Sequence, residues 1–417
     1  MTGPMSFDQL PTFAQQRRVR AVADGVPFNA PPAKTVPVIA ELPGPVDLPA
    51  LTEALRVFAA RHALLRHRFA RRGDRITLRP VGDRSAELDC AVIEESALRT
   101  EVDRPFDVLA WPLLRAGIVQ RERPLFYLAA DHLVSDGGSV VLALREIEAA
   151  YRALLAGKPV DLAPPGDFLG YARKQRSRYA DGPAFAGEVG ELLAQLGDRP
   201  VEPIFPIDAG AWDGGTGRYA EQELLDADGI AALMRQCRDT RTTPFMAVLA
   251  AFGVAVRELT GRPETGILVA THNRDEPEDE AGFGWYANML SLYFPTGDRS
   301  GFTASVREVR ARLMTLLPFY ALPLCRVLDA NPAHDGVGEV VPTCFMSFVD
   351  NRGAGDDETR WRQLDYAPAF RMGYGMWVVQ RESGLRMVTA SPRPIGGDAP
   401  LVELEQRIAD VLRESVR

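Results

Sequence analysis

Between residues 125 and 157 the hydrophobic period of the chain changes once. Positions 125–130 are apolar without a break, as in a strand covered on both faces, and a polar turn follows with His132 at its start. From Ser139 the period is helical: Val140, Leu144, Ile147, Tyr151 and Leu154 form one stripe, Arg145, Glu148 and Arg152 lie opposite, and Gly157 supplies a stop. The same alternation runs on both sides of this stretch. Strands are expected at 35–42, 75–80, 88–94 and 116–119, and a helix opening on Asp47 and Pro49 runs to about His62. Further helices are expected at 167–178 and 183–196, followed at 197–217 by a Gly-, Pro- and Asp-rich stretch that reads as a linker.

The second half repeats the pattern. A strand at 219–225, a helix at 226–238 and a strongly apolar helix at 245–259, opened by Thr243-Pro244 and stopped by Gly261, precede a buried-type strand at 266–271. The acidic run 275–280 reads as a solvated loop, and a strand follows at 289–294. A helix at 302–317, a strand at 343–349, a hairpin within 376–390 turning at Ser383-Gly384, and a final amphipathic helix at 401–416 complete the chain. The class is α/β in two halves, divided as 1–178 and 179–417.

Composition narrows the function classes. At 417 residues the chain is long enough for two cores, and 46% hydrophobic with 25% charged residues is globular. A net charge of -8 gives a nucleic-acid or anionic-membrane partner no electrostatic support. Cys90, Cys237, Cys325 and Cys344 lie far apart, without a C-x-x-C pair or a histidine at ligand spacing, so a reduced cytoplasmic protein with no metal site is expected. The N-terminus lacks the basic and apolar regions of a signal peptide, and the apolar stretch 245–256 is too short to span a bilayer.

The motifs then converge on one family. The stretch Asp131-His132-Leu133-Val134-Ser135-Asp136-Gly137 resembles the signature His-His-x-x-x-Asp-Gly of condensation domains of nonribosomal peptide synthesis, in the superfamily of chloramphenicol acetyltransferase. Aspartate replaces the first histidine and the second is kept. Ala14-Gln15-Gln16-Arg17 resembles the family's opening A-Q-x-R, residues 61–69 its R-H-x-x-L-R-x-x-F, Pro105-Phe106-Asp107 and Pro112-Leu113-Leu114-Arg115 its P-F-D and P-L-x-R. Thr243-Pro244-Phe245-Met246, residues 266–274 and Gly284-Trp285-Tyr286-Ala287-Asn288 resemble its second-half elements in the same order.

This resemblance implies two acetyltransferase-like lobes in a V-shaped pseudo-dimer with an active-site tunnel where they meet and His132 at its centre. It implies a free-standing, monomeric enzyme without a resident cofactor. Acyl or peptidyl carrier proteins would present phosphopantetheine-linked thioesters, and a small-molecule amine or alcohol would accept the acyl group as an amide or ester. A catalytically silent module that docks carrier proteins or a tailoring enzyme, and a coenzyme A-dependent acyltransferase, are the alternatives.

Acyl transfer needs a group to handle the nucleophile's proton and donors for the oxyanion. His132 fits the first role, since imidazole titrates near neutrality. Gly137, beside a helix start, could offer its amide to the oxyanion or serve only the turn. Asp136 is expected to hold the loop, paired by resemblance with Arg274 of the other lobe or with Arg66. Asp131 could fix the loop through a hydrogen bond or raise the pKa of His132. Tyr286, Asn288 and Ser347 are expected by resemblance to line the tunnel, with packing an equal alternative for Tyr286. His62 and His67 read as structural, His272 as packing close to the tunnel, and His334 as a chance imitation of the motif.

Overall fold

A strand that is apolar up to its last position needs cover on both faces, and Leu125–Asp131 has it: all seven residues are buried at the middle of a five-stranded sheet. The structure is a computed structural model and describes residues 9–24, 35–208, 217–331, 343–352, 360–364, 366 and 373–417. The sheet runs Arg362–Leu364, Thr35–Glu41, Leu125–Asp131, Leu114–Val119, Cys90–Ile93. Its pairs are antiparallel except the last, and Leu128 faces Val38 on one side and Ala116 on the other.

The alternation of side chains sorts this strand into two cores. Phe126, Leu128 and Ala130 join Phe58 and Leu55 of the helix Leu48–Arg61, and Leu144 and Ile147 of the helix Gly137–Leu155. Leu125 and Tyr127 point the other way, onto Ile39, Val119 and Val102. The apolar stripe from Val140 to Leu154 is therefore the face that covers the sheet.

The second sheet has six strands in the order Arg218–Asp226, Gly384–Ser391, Gly373–Arg381, Thr343–Asp350, Glu264–Thr271, Asn288–Pro295. Thr343–Asp350 pairs in parallel with both neighbours and the other ladders are antiparallel. The helix Pro244–Thr260 is buried at every position from Met246 to Val256, which explains a sequence apolar on all sides. Thr243 caps its start, and Gly261 ends it at a φ of 71°.

The chain forms two compact units, each holding one of these sheets. A single division after residue 178 does not describe them. The first unit takes Met1–Phe185 together with His272–Ala287 and Asp356–Pro368, and the second takes the rest. The strand Arg362–Leu364, too short for a periodic signal, is the piece of the second half that extends the first sheet.

Three local expectations differ from the structure. The helix expected from Ser139 begins at Gly137, because the Asp136 carboxylate accepts the Ser139 amide at 2.8 Å and caps it two residues earlier. The acidic run contains the helical turn Pro277–Glu280, and Asp279 within it is 5% exposed rather than solvated. The linker stretch is packed where it is described: Val201, Phe205 and Ile207 are buried, and Phe205 stacks on Tyr374 at 4.9 Å. His334 lies outside the described residues.

Among the described residues no single helix is long and apolar enough to cross a membrane. Cys90, Cys237 and Cys344 are buried free thiols and Cys325 is half-buried. Burial pushes the Cys90 thiol up to about 12.

Candidate active site

His132 is the first residue after the central strand and is half-buried, while both its neighbours, Asp131 and Leu133, are completely buried. The strand ends there because the backbone turns: the Val134 amide donates to the Asp131 carbonyl at 2.9 Å and the Leu133 amide to the Asp131 carboxylate at 2.8 Å. The imidazole lies against the indole of Trp285, ring centroids 4.2 Å apart. One aromatic face and a closed turn thus fix where the imidazole stands.

Asp131 is held by the N-terminal helix Phe13–Ala23. Arg18 donates from Nε to Oδ1 at 3.1 Å and from Nη2 to Oδ2 at 2.8 Å, with side chains 3% and 0% exposed. Gln15, one turn earlier on that helix, donates from Nε2 to the Leu133 carbonyl at 2.6 Å. The Asp131 carboxylate is thus committed to an arginine and a backbone amide, which is the loop-fixing geometry rather than a free charge beside the imidazole.

Asp136 collects more donors. Besides the Ser139 amide it accepts Arg274 Nη1 at 3.1 Å and Nη2 at 2.7 Å, and the amides of Tyr286 and Ala287 at 2.9 and 3.0 Å. Burial alone would raise its pKa, but the guanidinium beside it and these hydrogen bonds hold it below the usual carboxylate range. Arg274 also donates to Ser139 Oγ, which bridges both the amide and the carbonyl of Gly284. The segment His272–Ala287 is in this way fastened onto the start of the helix Gly137–Leu155. Arg274, expected from the other lobe, sits with Asp136 in the first unit. Arg66, the second candidate partner, ends a short turn at Ala63–Arg66 and makes no ion pair with Asp136.

The two glycines divide the roles that sequence reasoning gave to Gly137. A Cβ at Gly137 would meet nothing within 4 Å, whereas one at Gly138 would come within 2.9 Å of Arg274 Nη1. Gly138 is the position that needs glycine for close approach. Gly137 is exposed, and its amide opens the helix.

Tyr286 is 1% exposed, enclosed by Phe168 and Tyr171 at 5.1 and 4.6 Å, with Arg274 Cζ 4.3 Å from its ring centroid. Burial drives its hydroxyl above the usual range. Its side chain packs, and its contribution to the loop is its backbone amide. Asn288, in the second unit, spends its whole amide on one turn: Nδ2 donates to the Tyr320 and Leu322 carbonyls at 3.0 and 2.8 Å, and Oδ1 accepts the Leu324 amide at 3.0 Å. Ser347 is half-buried in the middle of the strand Thr343–Asp350 of that unit.

The other described histidines have partners of their own. His62 is buried, with Nε2 2.9 Å from Glu146, and His67 Nδ1 lies 2.7 Å from the Ala63 carbonyl. His272 is exposed, and its Nδ1 accepts the Arg274 amide at 3.1 Å. Sequence reasoning missed Arg18, Gln15, Gly138, Ser139 and Trp285. Gln15 and Trp285 stood inside motifs already quoted, but without a role, and for Arg18 the signal was its spacing from Gln15, three apart and hence on one helix face.

Residues 12–190 match the family model described as Condensation domain. Among curated relatives, chondramide synthase of Chondromyces crocatus is 28% identical over 83% of this chain, and a linear gramicidin synthase of Brevibacillus parabrevis 30% identical over 78% of it. The chain spans 9% and 7% of the length of these relatives. Among solved structures, the PapA2 acyl transferase superposes with a TM-score of 0.81 at 21% identity, over 98% of this chain and 92% of its own. The first condensation domain of the CDA synthetase gives 0.79 at 19%, over 99% and 96%, and the X-domain from teicoplanin biosynthesis 0.76 at 18%, over 100% and 96%. These structural likenesses establish an α/β fold of acetyltransferase-like lobes. With the sequence match over residues 12–190 and the synthase relatives, the first part of the chain matches the condensation-domain family, and the chain as a whole is similar in fold to solved condensation domains.

Proposed function

We propose that this chain is an acyltransferase of the condensation type. It joins an acyl or aminoacyl group, carried as a thioester on the phosphopantetheine arm of a carrier protein, to an amine or alcohol. The acceptor's nitrogen or oxygen attacks the thioester carbonyl, the carbon–sulfur bond breaks, and the thiolate leaves. His132 takes the proton from the attacking N–H or O–H and returns it to the departing sulfur, so the step is balanced without a resident cofactor. The Gly137 amide, at the start of a helix and beside open space, is the donor assigned to the oxyanion. Asp136, Arg274 and Asp131 act on the loop and not on the substrate.

The observation that carries this reading is the half-buried imidazole of His132, standing between two buried residues on a turn braced from both sides by ion pairs. A buried carboxylate fixed by four backbone or guanidinium groups is a large commitment of polar groups to the placement of one loop. Coenzyme A is the other donor that presents the same arm.

The test is incubation with candidate acyl-carrier and acyl-coenzyme A thioesters and a panel of amines and alcohols, read by mass spectrometry, for the wild type and His132→Ala. Product from the wild type and at least about 100-fold less from the variant is expected. Equal turnover would remove histidine catalysis. No turnover with any donor, together with binding of a carrier protein, would leave a docking module.

A further inference from the structure

The N-terminal helix Phe13–Ala23 sends two side chains into the histidine loop, one to each neighbour of His132. Arg18 grips the Asp131 carboxylate through both oxygens, and Gln15 holds the Leu133 carbonyl. Between these points the Leu133 amide returns to Asp131 Oδ1, so the backbone on either side of His132 is closed into a ring with the imidazole at its apex. The helix is itself stiffened at this end. Thr12 and Gln15 form a reciprocal cap, in which the Gln15 side-chain oxygen accepts the Thr12 amide at 2.8 Å while its nitrogen serves Leu133. One side chain therefore both caps the helix and holds the loop.

The burial of the pair argues against a passive role. Arg18 and Asp131 are taken wholly out of water, where an ion pair is a poor source of net stability compared with apolar residues of the same volume. What a forked arginine–carboxylate pair does supply is fixed direction. That direction is applied at the one place where a half-buried histidine leaves a buried strand. Aspartate stands here where the resembling signature has a histidine, and Arg18 is the residue that makes the aspartate useful.

We propose that Arg18 and Gln15 are positioning residues for His132, and that the Arg18–Asp131 pair sets the orientation of its imidazole. The inference rests on the reading of His132 as the group that handles the proton, but its geometry is testable without turnover. Neither Arg18 nor Gln15 meets substrate in this scheme.

The experiment uses the double variant Arg18→Met with Asp131→Asn, which removes the ion pair without stranding a buried charge and keeps an oxygen for the Leu133 amide. Histidine-selective nitrogen-15 labelling resolves the five imidazoles, and His132→Ala assigns the one of interest. In the double variant the His132 signals are expected to shift and broaden and their titration midpoint to move, with His62 and His67 unchanged. In the thioester assay kcat falls about tenfold or more with KM nearly constant, the mark of a misplaced group rather than lost binding. His132 signals and a pH–rate profile identical to the wild type in the folded double variant would overturn the proposal. If that variant does not fold, Arg18→Lys, which keeps the charge and loses the fork, takes its place: partial shifts of the His132 signals support the proposal, and unchanged signals overturn it. A wild type inactive with every donor would remove the proposed function, and the imidazole signals would still decide the positioning role.

Discussion

Two buried carboxylates, Asp136 in the first unit and Glu405 in the second, each meet an arginine in forked geometry, yet they hold different things. Glu405 accepts Arg218 Nη1 and Nη2 at 2.6 and 2.7 Å, Thr389 Oγ1 at 2.7 Å and the Tyr374 hydroxyl at 2.8 Å, so it binds side chains only, inside a closed core. Asp136 accepts the same kind of guanidinium but also three backbone amides, of Ser139, Tyr286 and Ala287. The first arrangement neutralises a charge within packing. The second dictates where a helix begins and where a returning segment lies, four residues from a half-buried histidine. A buried ion pair says little about function until its partners are sorted into side chain and backbone.

The strongest way to break this comparison is to remove one charge from each pair. Asp136→Asn is expected to lower stability by about 3–5 kcal/mol, because the largely buried Arg274 loses its charge partner, and Glu405→Gln by less, because Arg218 keeps Asp398 at 3.4 Å. Urea unfolding followed by circular dichroism measures both. Only Asp136→Asn should also speed amide hydrogen exchange at Tyr286 and Ala287, and an Asp136→Asn protein as stable as the wild type would remove the structural role of the pair.

His132→Ala sharpens the contrast from the other side. Turnover should fall at least about 100-fold while the urea midpoint stays put, since the imidazole is half-buried and the loop is held by its neighbours. A large loss of stability in this variant would return His132 to the class of structural histidines.

The glycines give a smaller, graded test. Gly138→Ala presses against Arg274 Nη1, which Asp136 holds in place, and should destabilise by roughly 1–3 kcal/mol. Gly137→Ala meets nothing within 4 Å and should be neutral or slightly stabilising. Thermal melting of both variants side by side decides it, and equal losses would refute the assignment of close approach to Gly138.

Acid should act through Asp136 with a definite sign. Its folded pKa lies below the unfolded value of about 3.9, so its contribution is complete above that value and is lost as pH falls through the lower folded one. The wild-type urea midpoint should therefore fall more steeply below about pH 4 than that of Asp136→Asn; parallel curves would show that the pair does not drive acid unfolding. Asp279 has the opposite sign and the smallest effect. Burial raises its pKa, Lys174 only partly offsets this, and Glu278, Glu276 and Asp275 push the same way, so its carboxyl favours the folded state when protonated. Asp279→Asn should raise the melting temperature at pH 7 and leave it unchanged at pH 3, and a lower melting temperature at pH 7 would contradict the assignment.

Much of this was legible along the chain, and the particular residues show why. The central strand was readable because six of its seven buried positions form an unbroken apolar run, and the helix Pro244–Thr260 because its cap, proline and terminal glycine are local signals. His132, Asp136 and Arg274 were reached through the order of motifs. Arg18 was not, because an arginine that meets an aspartate 113 residues away leaves no periodic trace. Asp279 was misread for the same reason: in a run of acids, nothing local tells which one faces inward. For Tyr286 the sequence left tunnel lining and packing as equal alternatives, and the rings of Phe168 and Tyr171 around it show that it packs.

The sequence by itself determined the local elements and their buried faces, because period, capping and turn chemistry act over a few residues and are written in adjacent positions. Only the tertiary structure decided which carboxylate meets which guanidinium, across 113, 138 and 187 residues, and which of two adjacent glycines must stay small. The physical reason is that a hydrophobic pattern specifies a face to be covered and not the residue that covers it. The partners of His132 are thus set by how the N-terminal helix and the segment His272–Ala287 come back onto the first sheet.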